Sequence, residues 1–250
     1  MEKLEEGGIR LQLAIARAGV ASRRHAEEMI RGGRVSVNGA KVVEMGVKVD
    51  PARDMIAVDG RPLPRPAARK TTIILNKPVG WLSAASDGHG GRVVTELVGG
   101  LGARLVPVGR LDKDSQGLLL LSDDGDLIEK LTHPRYGHRK TYRVEVSGLC
   151  DRQALEALRG EMTIDGYLIR PVKVFNEGAS GRHTILKFIL TEGRNRQIRK
   201  MCAAVGLNVV RLERVAIDGL TLGCLAPGEY RELTEAEIAA LISGKGERKK

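Results

Sequence analysis

Aromatic residues make up 3% of this 250-residue chain, which argues against a binding surface built by stacking many successive bases or rings on aromatic side chains. Cysteine is equally scarce. Cys150, Cys202 and Cys224 are odd in number and widely spaced, so they form neither a disulfide framework nor a zinc pattern, and they suit a reducing compartment. No apolar run approaches the roughly 20 residues that span a bilayer, and Met1-Glu2-Lys3-Leu4-Glu5-Glu6 has no apolar secretory core. The expectation is a cytoplasmic protein with no membrane partner. Several familiar sites are absent too. There is no phosphate-binding loop of the nucleotide hydrolase type, and the glycines at 88, 90 and 91 lack the strand-turn-helix context of a dinucleotide fingerprint. Ser115 has Lys113 where a nucleophile elbow needs its first glycine. His133 and His138 stand five apart across Pro134 with no third ligand in sequence reach, so no metal site is expected. The chemistry that remains uses no metal, nucleotide or redox cofactor.

What the chain has in excess is positive charge. Lys and Arg number 41 against 31 Asp and Glu, a formal net charge of +10. A polyanionic partner, nucleic acid first, explains such an excess because neutralised phosphates release counterions. Arg10, Arg17, Arg23, Arg24, Arg31, Arg34 and Lys41 concentrate part of it near the start of the chain. That region, residues 9–63, reads as a small module of two helices followed by short strands. Gly19 stops the first helix and Ser22 caps a second that runs to Gly32-Gly33. Val35-Ser36-Val37, Asn38-Gly39 and Lys41-Val42-Val43 spell a hairpin, since both turn residues tolerate positive φ. The alternating prolines of Arg61-Pro62-Leu63-Pro64-Arg65-Pro66 then predict an extended linker that continues neither sheet nor helix. A domain boundary falls there, with the linker at 64–70 and a second domain at 71–243.

The second domain carries the chemistry. Gly109-Arg110-Leu111-Asp112-Lys113-Asp114-Ser115-Gln116-Gly117 is a polar loop between the apolar runs Leu105-Val106-Pro107-Val108 and Leu118-Leu119-Leu120-Leu121. A loop with two carboxylates between two buried strands is where a scaffold presents reactive groups; alone it also reads as a solvated hairpin. Strands are predicted at 71–75, 140–146, 168–175, 184–190 and, last, 209–217. Helices are predicted at 126–131, from a cap at Asp151 to Gly160, over 195–205, and after Thr234 with Glu237 in capping-box spacing. The run Glu192-Gly193-Arg194-Asn195-Arg196-Gln197-Ile198-Arg199-Lys200 puts four cations at a strand-to-helix junction, which attracts phosphate or carboxylate. Residues 244–250 read as a basic tail. The class is α+β in two unequal domains.

With these motifs in view, the chain resembles the bacterial pseudouridine synthases of the RsuA/RluB type. Gly109-Arg110-Leu111-Asp112 is similar to the family's catalytic loop, Lys140-Thr141-Tyr142 to its second motif and Gly193-Arg194-Asn195-Arg196-Gln197-Ile198-Arg199 to its third. Asn76-Lys77-Pro78 fits as well. Ala18-Gly19-Val20-Ala21-Ser22-Arg23-Arg24 and Gly33-Arg34-Val35-Ser36-Val37-Asn38-Gly39 resemble an alpha-L RNA-binding domain. The likeness runs through nearly the whole chain in the family's order. It implies an alpha-L domain plus a catalytic domain on a mixed, mainly antiparallel sheet flanked by helices, and the isomerisation of a specific uridine in ribosomal RNA, of the large subunit rather than the small. It implies Asp112 as the catalytic carboxylate, Arg199 as the arginine that pairs with it, Tyr142 as the ring that packs on the target base and Arg110 as the side chain that enters the space the base leaves. Asn76, Lys77, Arg194, Arg196, Arg23, Arg24 and Arg34 are the expected substrate contacts, no cofactor is implied, and the partner is ribosomal RNA or a ribosomal subunit precursor met by a monomer. Asp114 reads as a loop-stabilising acceptor. Two rivals stand beside this: a non-catalytic RNA-binding or assembly factor, and a glycoside hydrolase using Asp112 with Asp114.

Overall fold

The structure, a computed structural model, describes residues 8–64, 70–87, 90–101 and 104–243. The basic tail at 244–250, the first seven residues and linker residues 65–69 lie outside them. The chain divides into two compact units, Met1–Lys70 and Thr71–Lys250.

In the first unit, helix α1 (Leu11–Arg17) ends at Gly19, whose φ of +76° turns the chain away. Helix α2 (Arg23–Arg31) starts at Ser22, whose hydroxyl accepts from the His25 amide at 3.2 Å. The two helices bury Leu11, Ile15, Ala26 and Ile30 against Val35, Val49, Ile56 and Val58. Strands β1 (Val35–Val37) and β2 (Ala40–Val42) form the expected hairpin, with φ of +51° at Asn38 and +83° at Gly39. Strand β3 (Ile56–Val58) pairs with the other side of β1. Arg61–Pro62, expected to break away as linker, instead pairs with Ala57–Val58. An edge strand tolerates proline because its outer side needs no donor.

The second unit is built on a nine-stranded sheet. Its strands are β4 (Thr72–Lys77), β5 (Val106–Val108), β6 (Gln116–Ser122), β7 (Lys140–Ser147), β8 (Lys173–Ser180), β9 (His183–Leu190), β10 (Asn208–Ile217) and β11 (Tyr230–Glu232), with the short Leu220–Thr221 beside β10. The main order is β8-β9-β7-β10-β6-β4-β11, and β5 pairs with β6. Among the described pairings the β10 to β6 contact is parallel and the rest of the sheet antiparallel. All six residues of β4 are buried, as both faces of the sheet are covered there. Ile73, Leu75, Leu119, Leu121, Val144 and Phe188 face α4 (Arg152–Arg159) and α5 (Gln197–Ala204) through Leu158, Ile198 and Met201. Ile74, Leu118 and Leu120 face α3 (Gly125–Thr132) and α6 (Glu235–Ser243) through Leu127, Leu131 and Leu241. This period-two division is why the leucine run of β6 is continuous rather than alternating.

The caps act as their spacing predicts. Asp151 accepts from the Ala154 amide at 2.7 Å, and Thr234 and Glu237 bond each other's backbone amides. Three elements differ from expectation. Residues 168–175 are not one strand: Tyr167–Leu168 closes a small hairpin with Thr163–Ile164, and β8 begins only at Lys173. Helix α5 begins at Gln197 rather than Asn195, because Arg196 adopts left-handed φ of +52° and cannot be its first helical residue. Strand β10 is followed by Leu220–Thr221 and β11, segments too short to show a period.

Candidate active site

The loop between β5 and β6 is held from Arg110 through Ser115. Each carbonyl from Arg110 through Ser115 accepts a hydrogen bond, and the donors come from five places in the fold. Arg214 Nη1 reaches Arg110 O at 3.4 Å and Ser83 Oγ reaches Leu111 O at 2.9 Å. The Ser115 amide closes a turn on Asp112 O at 3.1 Å, and the Gly80 amide takes Lys113 O at 2.7 Å. Arg199 Nη2 takes Asp114 O at 2.9 Å and Lys77 Nζ takes Ser115 O at 2.7 Å. Backbone so fully satisfied has little freedom to rearrange. Gly109 (φ +76°) and Gly117 (φ +104°) supply the conformations at its ends, and a Cβ at Gly117 would collide with the backbone of Arg214.

Asp112 is thereby presented at a shallow cleft of about 90 Å³ shared with Arg110, Tyr142, Arg194, Arg196, Arg199 and Leu212. Its carboxylate is one-third exposed, with Arg196 Nη1 at 3.9 Å. Tyr142 is 9% exposed, its ring in the core that floors the cleft. The larger concavity of this unit, about 1200 Å³, lies along Thr141, Arg143, Lys187 and Glu213 and does not include Asp112. The Asp112 carboxylate and the guanidinium groups converge at the small cleft.

The expected pairing of Arg199 with Asp112 is corrected. Arg199 Nε lies 3.3 Å from Asp114 Oδ2, at ion-pair distance but without hydrogen-bond alignment, and its other donors go to Asp114 O and Val209 O. Asp114 also takes a two-pronged contact from Arg196, at 3.1 and 3.0 Å. Burial alone would raise the Asp114 pKa, but the Arg196 hydrogen bonds and the charges of Arg199 and Arg196 outweigh it and hold the carboxyl below its usual value.

Lys77 lies beneath this loop and Asn76 is bonded to the 225–229 segment, so neither stands on a surface open to a polymer. Asn76 is 5% exposed and donates to Leu225 O at 2.8 Å. Lys77 is fully buried, donating to Pro78 O as well as Ser115 O, and its pKa is pushed down to about 8 by burial against the opposing pull of Asp112 and Asp114. Arg194 stacks on Tyr167 with its guanidinium carbon 3.0 Å from the ring centroid. In the first unit Arg23 and Arg24 are exposed on α2, while Arg34 is engaged in a two-pronged contact with Asp59.

Two supports escaped the sequence reading. Ser83 both donates to Leu111 O and accepts from its amide at 3.0 Å, from a segment with no pattern to betray it. Arg214 is 2% exposed. Its signal was an arginine two residues after Leu212, on the inward phase of a strand.

A family model described as RNA pseudouridylate synthase matches residues 71–204. This chain belongs to the RNA pseudouridine synthase family. The synthase is thus an isomerase, and a second family model, the S4 domain, matches residues 9–54, so an N-terminal S4 domain precedes the pseudouridine synthase fold. It is 41% identical over 234 residues to the ribosomal large subunit pseudouridine synthase B of Bacillus subtilis, covering 93% of this chain and 95% of that one. It is 35% identical over 240 residues to the dual-specificity RNA pseudouridine synthase RluF of Escherichia coli, covering 96% of this chain and 80% of that one. A crystal structure of a pseudouridylate synthase aligns with a TM-score of 0.67 at 29% identity, over 94% of this synthase and all of that chain. Among the described residues no helix is long and apolar enough to cross a membrane, and no group of three or more His, Cys, Asp and Glu side chains could hold a metal.

Proposed function

We propose that the synthase converts one uridine of large-subunit ribosomal RNA to pseudouridine, with Asp112 as the catalytic carboxylate. The observation that carries this reading is the loop itself: one carboxylate faces the cleft from a backbone tied at each carbonyl from Arg110 through Ser115, among arginines. The reaction breaks the bond from ribose carbon 1 to base nitrogen 1, turns the uracil and joins carbon 5 to carbon 1; carbon 5 loses its proton and nitrogen 1 ends protonated, so the atoms balance as an isomerisation. It consumes no energy carrier. Asp112 serves either as nucleophile at carbon 1 or as base toward the sugar. Tyr142 packs on the base, and Arg110, exposed at the rim, fills the space it leaves. Arg199 acts through Asp114 on the loop that carries Asp112.

Arg194 and Arg196 are the rim cations for phosphate. A cleft of about 90 Å³ is below the roughly 300 Å³ at which small-molecule pockets begin, so a nucleotide enters as Arg196 exchanges its carboxylates for phosphate. Residues 9–63 anchor RNA through cations that include Arg23 and Arg24, 64–70 link, and 71–243 catalyse, in a cytoplasmic monomer. The name of the Bacillus relative, a ribosomal large subunit pseudouridine synthase, supports ribosomal RNA as the substrate. The hydrolase reading loses its second carboxylate, because Asp114 is held on the loop by Arg199, at 3.3 Å from its carboxylate and 2.9 Å from its carbonyl. The test is to map pseudouridine in ribosomal RNA from cells with and without the protein, complementing with wild type and Asp112→Asn. One large-subunit signal should vanish and return only with wild type. Return with Asp112→Asn would overturn the assignment.

A further inference from the structure

We propose that Arg214 is a positioning residue for the isomerisation: its guanidinium clamps both stems of the catalytic loop and so sets where the Asp112 carboxylate stands. The inference rests on the assignment of Asp112 above. Arg214 lies on β10, in register with Gly117 of β6 on one side and Tyr142 of β7 on the other. Its Nε donates to Leu118 O at 2.7 Å, just after the loop, and its Nη1 to Arg110 O at 3.4 Å, just before Asp112. One rigid fork therefore spans the loop's entry and exit. A lysine has no such fork and cannot hold both carbonyls in fixed relation.

Stability alone does not explain this residue. Arg214 Nη2 is buried without a partner, an unfavourable state that an apolar side chain of similar size would avoid. Lys77, which donates to Ser115 O, brings further positive charge beneath the loop, where Arg214 repels it and Asp112 and Asp114 attract it. Two buried cations thus stand in fixed positions beneath the loop that carries Asp112. The approach is close enough that Gly117 admits no side chain against the Arg214 backbone.

Arg214→Lys and Arg214→Gln in the full-length protein test this, with ribosomal RNA from cells lacking the protein as the probe. We expect both variants to bind that RNA within a few fold of wild type and to lose about 100-fold in single-turnover rate, as for a displacement of a reacting group by about 1 Å. Peptide hydrogen exchange should quicken over residues 109–117 and stay unchanged over β7 and β9. A wild-type rate in either variant overturns the proposal. So does exchange that rises across the whole sheet, or failure of both variants to fold, since each marks a purely structural role. Turnover retained by Asp112→Asn would instead remove the catalytic assignment, while the exchange of the 109–117 peptide would still report whether Arg214 orders the loop.

Discussion

Arg199 stands on Asp114: its Nη2 donates to the Asp114 carbonyl at 2.9 Å and its Nε lies 3.3 Å from the Asp114 carboxylate. Asp112 has Arg196 at 3.9 Å instead. The two carboxylates of the loop thus divide the work. Asp114 gathers the cations that brace the loop, and Asp112 remains less engaged and open to the cleft. Arg199→Lys should lower single-turnover rate strongly while changing RNA affinity little, because the lysine cannot hold the carbonyl and the carboxylate together. Asp114→Asn should reproduce most of that loss. A variant at Arg199 with wild-type turnover would remove the brace from the mechanism.

Arg196→Ala should act differently. The residue is exposed and borders the cleft, so its loss should weaken RNA binding and reduce the slope of log affinity against log salt by about one. A salt titration of wild type and variant checks this; equal slopes would mean that Arg196 meets no phosphate.

At Tyr142, Ala should cost far more than Phe. The ring is 9% exposed in the core beneath Asp112, and a stacking contact with a base is worth about 1–3 kcal/mol by alanine substitution. Truncation of a core aromatic also destabilises by about 3–5 kcal/mol, so rates are to be measured well below the variant's melting temperature. Equal losses from Ala and Phe would assign the hydroxyl an acid or base role.

Lys77 gives a pH signature in stability. Its pKa falls from 10.5 in the unfolded chain to about 8 in the folded one, so between those values the unfolded state holds the extra proton and stability rises with pH. Below about 8 both states are protonated and the native state carries the burial penalty. Relative to Lys77→Met, wild type should therefore gain up to about 3 kcal/mol between pH 8 and 10.5. Denaturant melts of both proteins across that range check it, and parallel curves would show that Lys77 keeps an ordinary pKa.

Deletion of residues 1–70 should leave a folded catalytic unit, because the division at Lys70 separates two compact bodies. Its RNA affinity should fall and its salt dependence flatten, as the phosphate contacts of α2 go with it. An unchanged slope would deny the module its role as an anchor.

Local chemistry was legible in the chain order. The Asn38-Gly39 hairpin, the caps at Ser22 and Asp151, the Thr234 and Glu237 box and the alternation through Tyr142, Val144 and Val146 depend on neighbours a few residues apart, and each stands in the fold. The motifs around Asp112, Tyr142 and Arg199 likewise pointed to the family and converge on one cleft. Long-range partners were not legible. Arg199 could have met either of two aspartates two residues apart, and the choice of Asp114 depends on the left-handed turn at Arg196 and on where β10 holds the helix that follows it. Asn76 and Lys77 were expected as substrate contacts from the resemblance, yet with both faces of β4 covered Lys77 is turned beneath the loop and Asn76 toward the 225–229 segment. Arg214, 96 residues from the Leu118 carbonyl it holds, had no local partner to announce it. Sequence alone determined the capped helices, the Asn38-Gly39 hairpin and the alternating strand through Tyr142, because these follow from short-range propensity and side-chain chemistry. Only the packed sheet decided which cation serves which carboxylate, because that depends on register between strands distant in the chain.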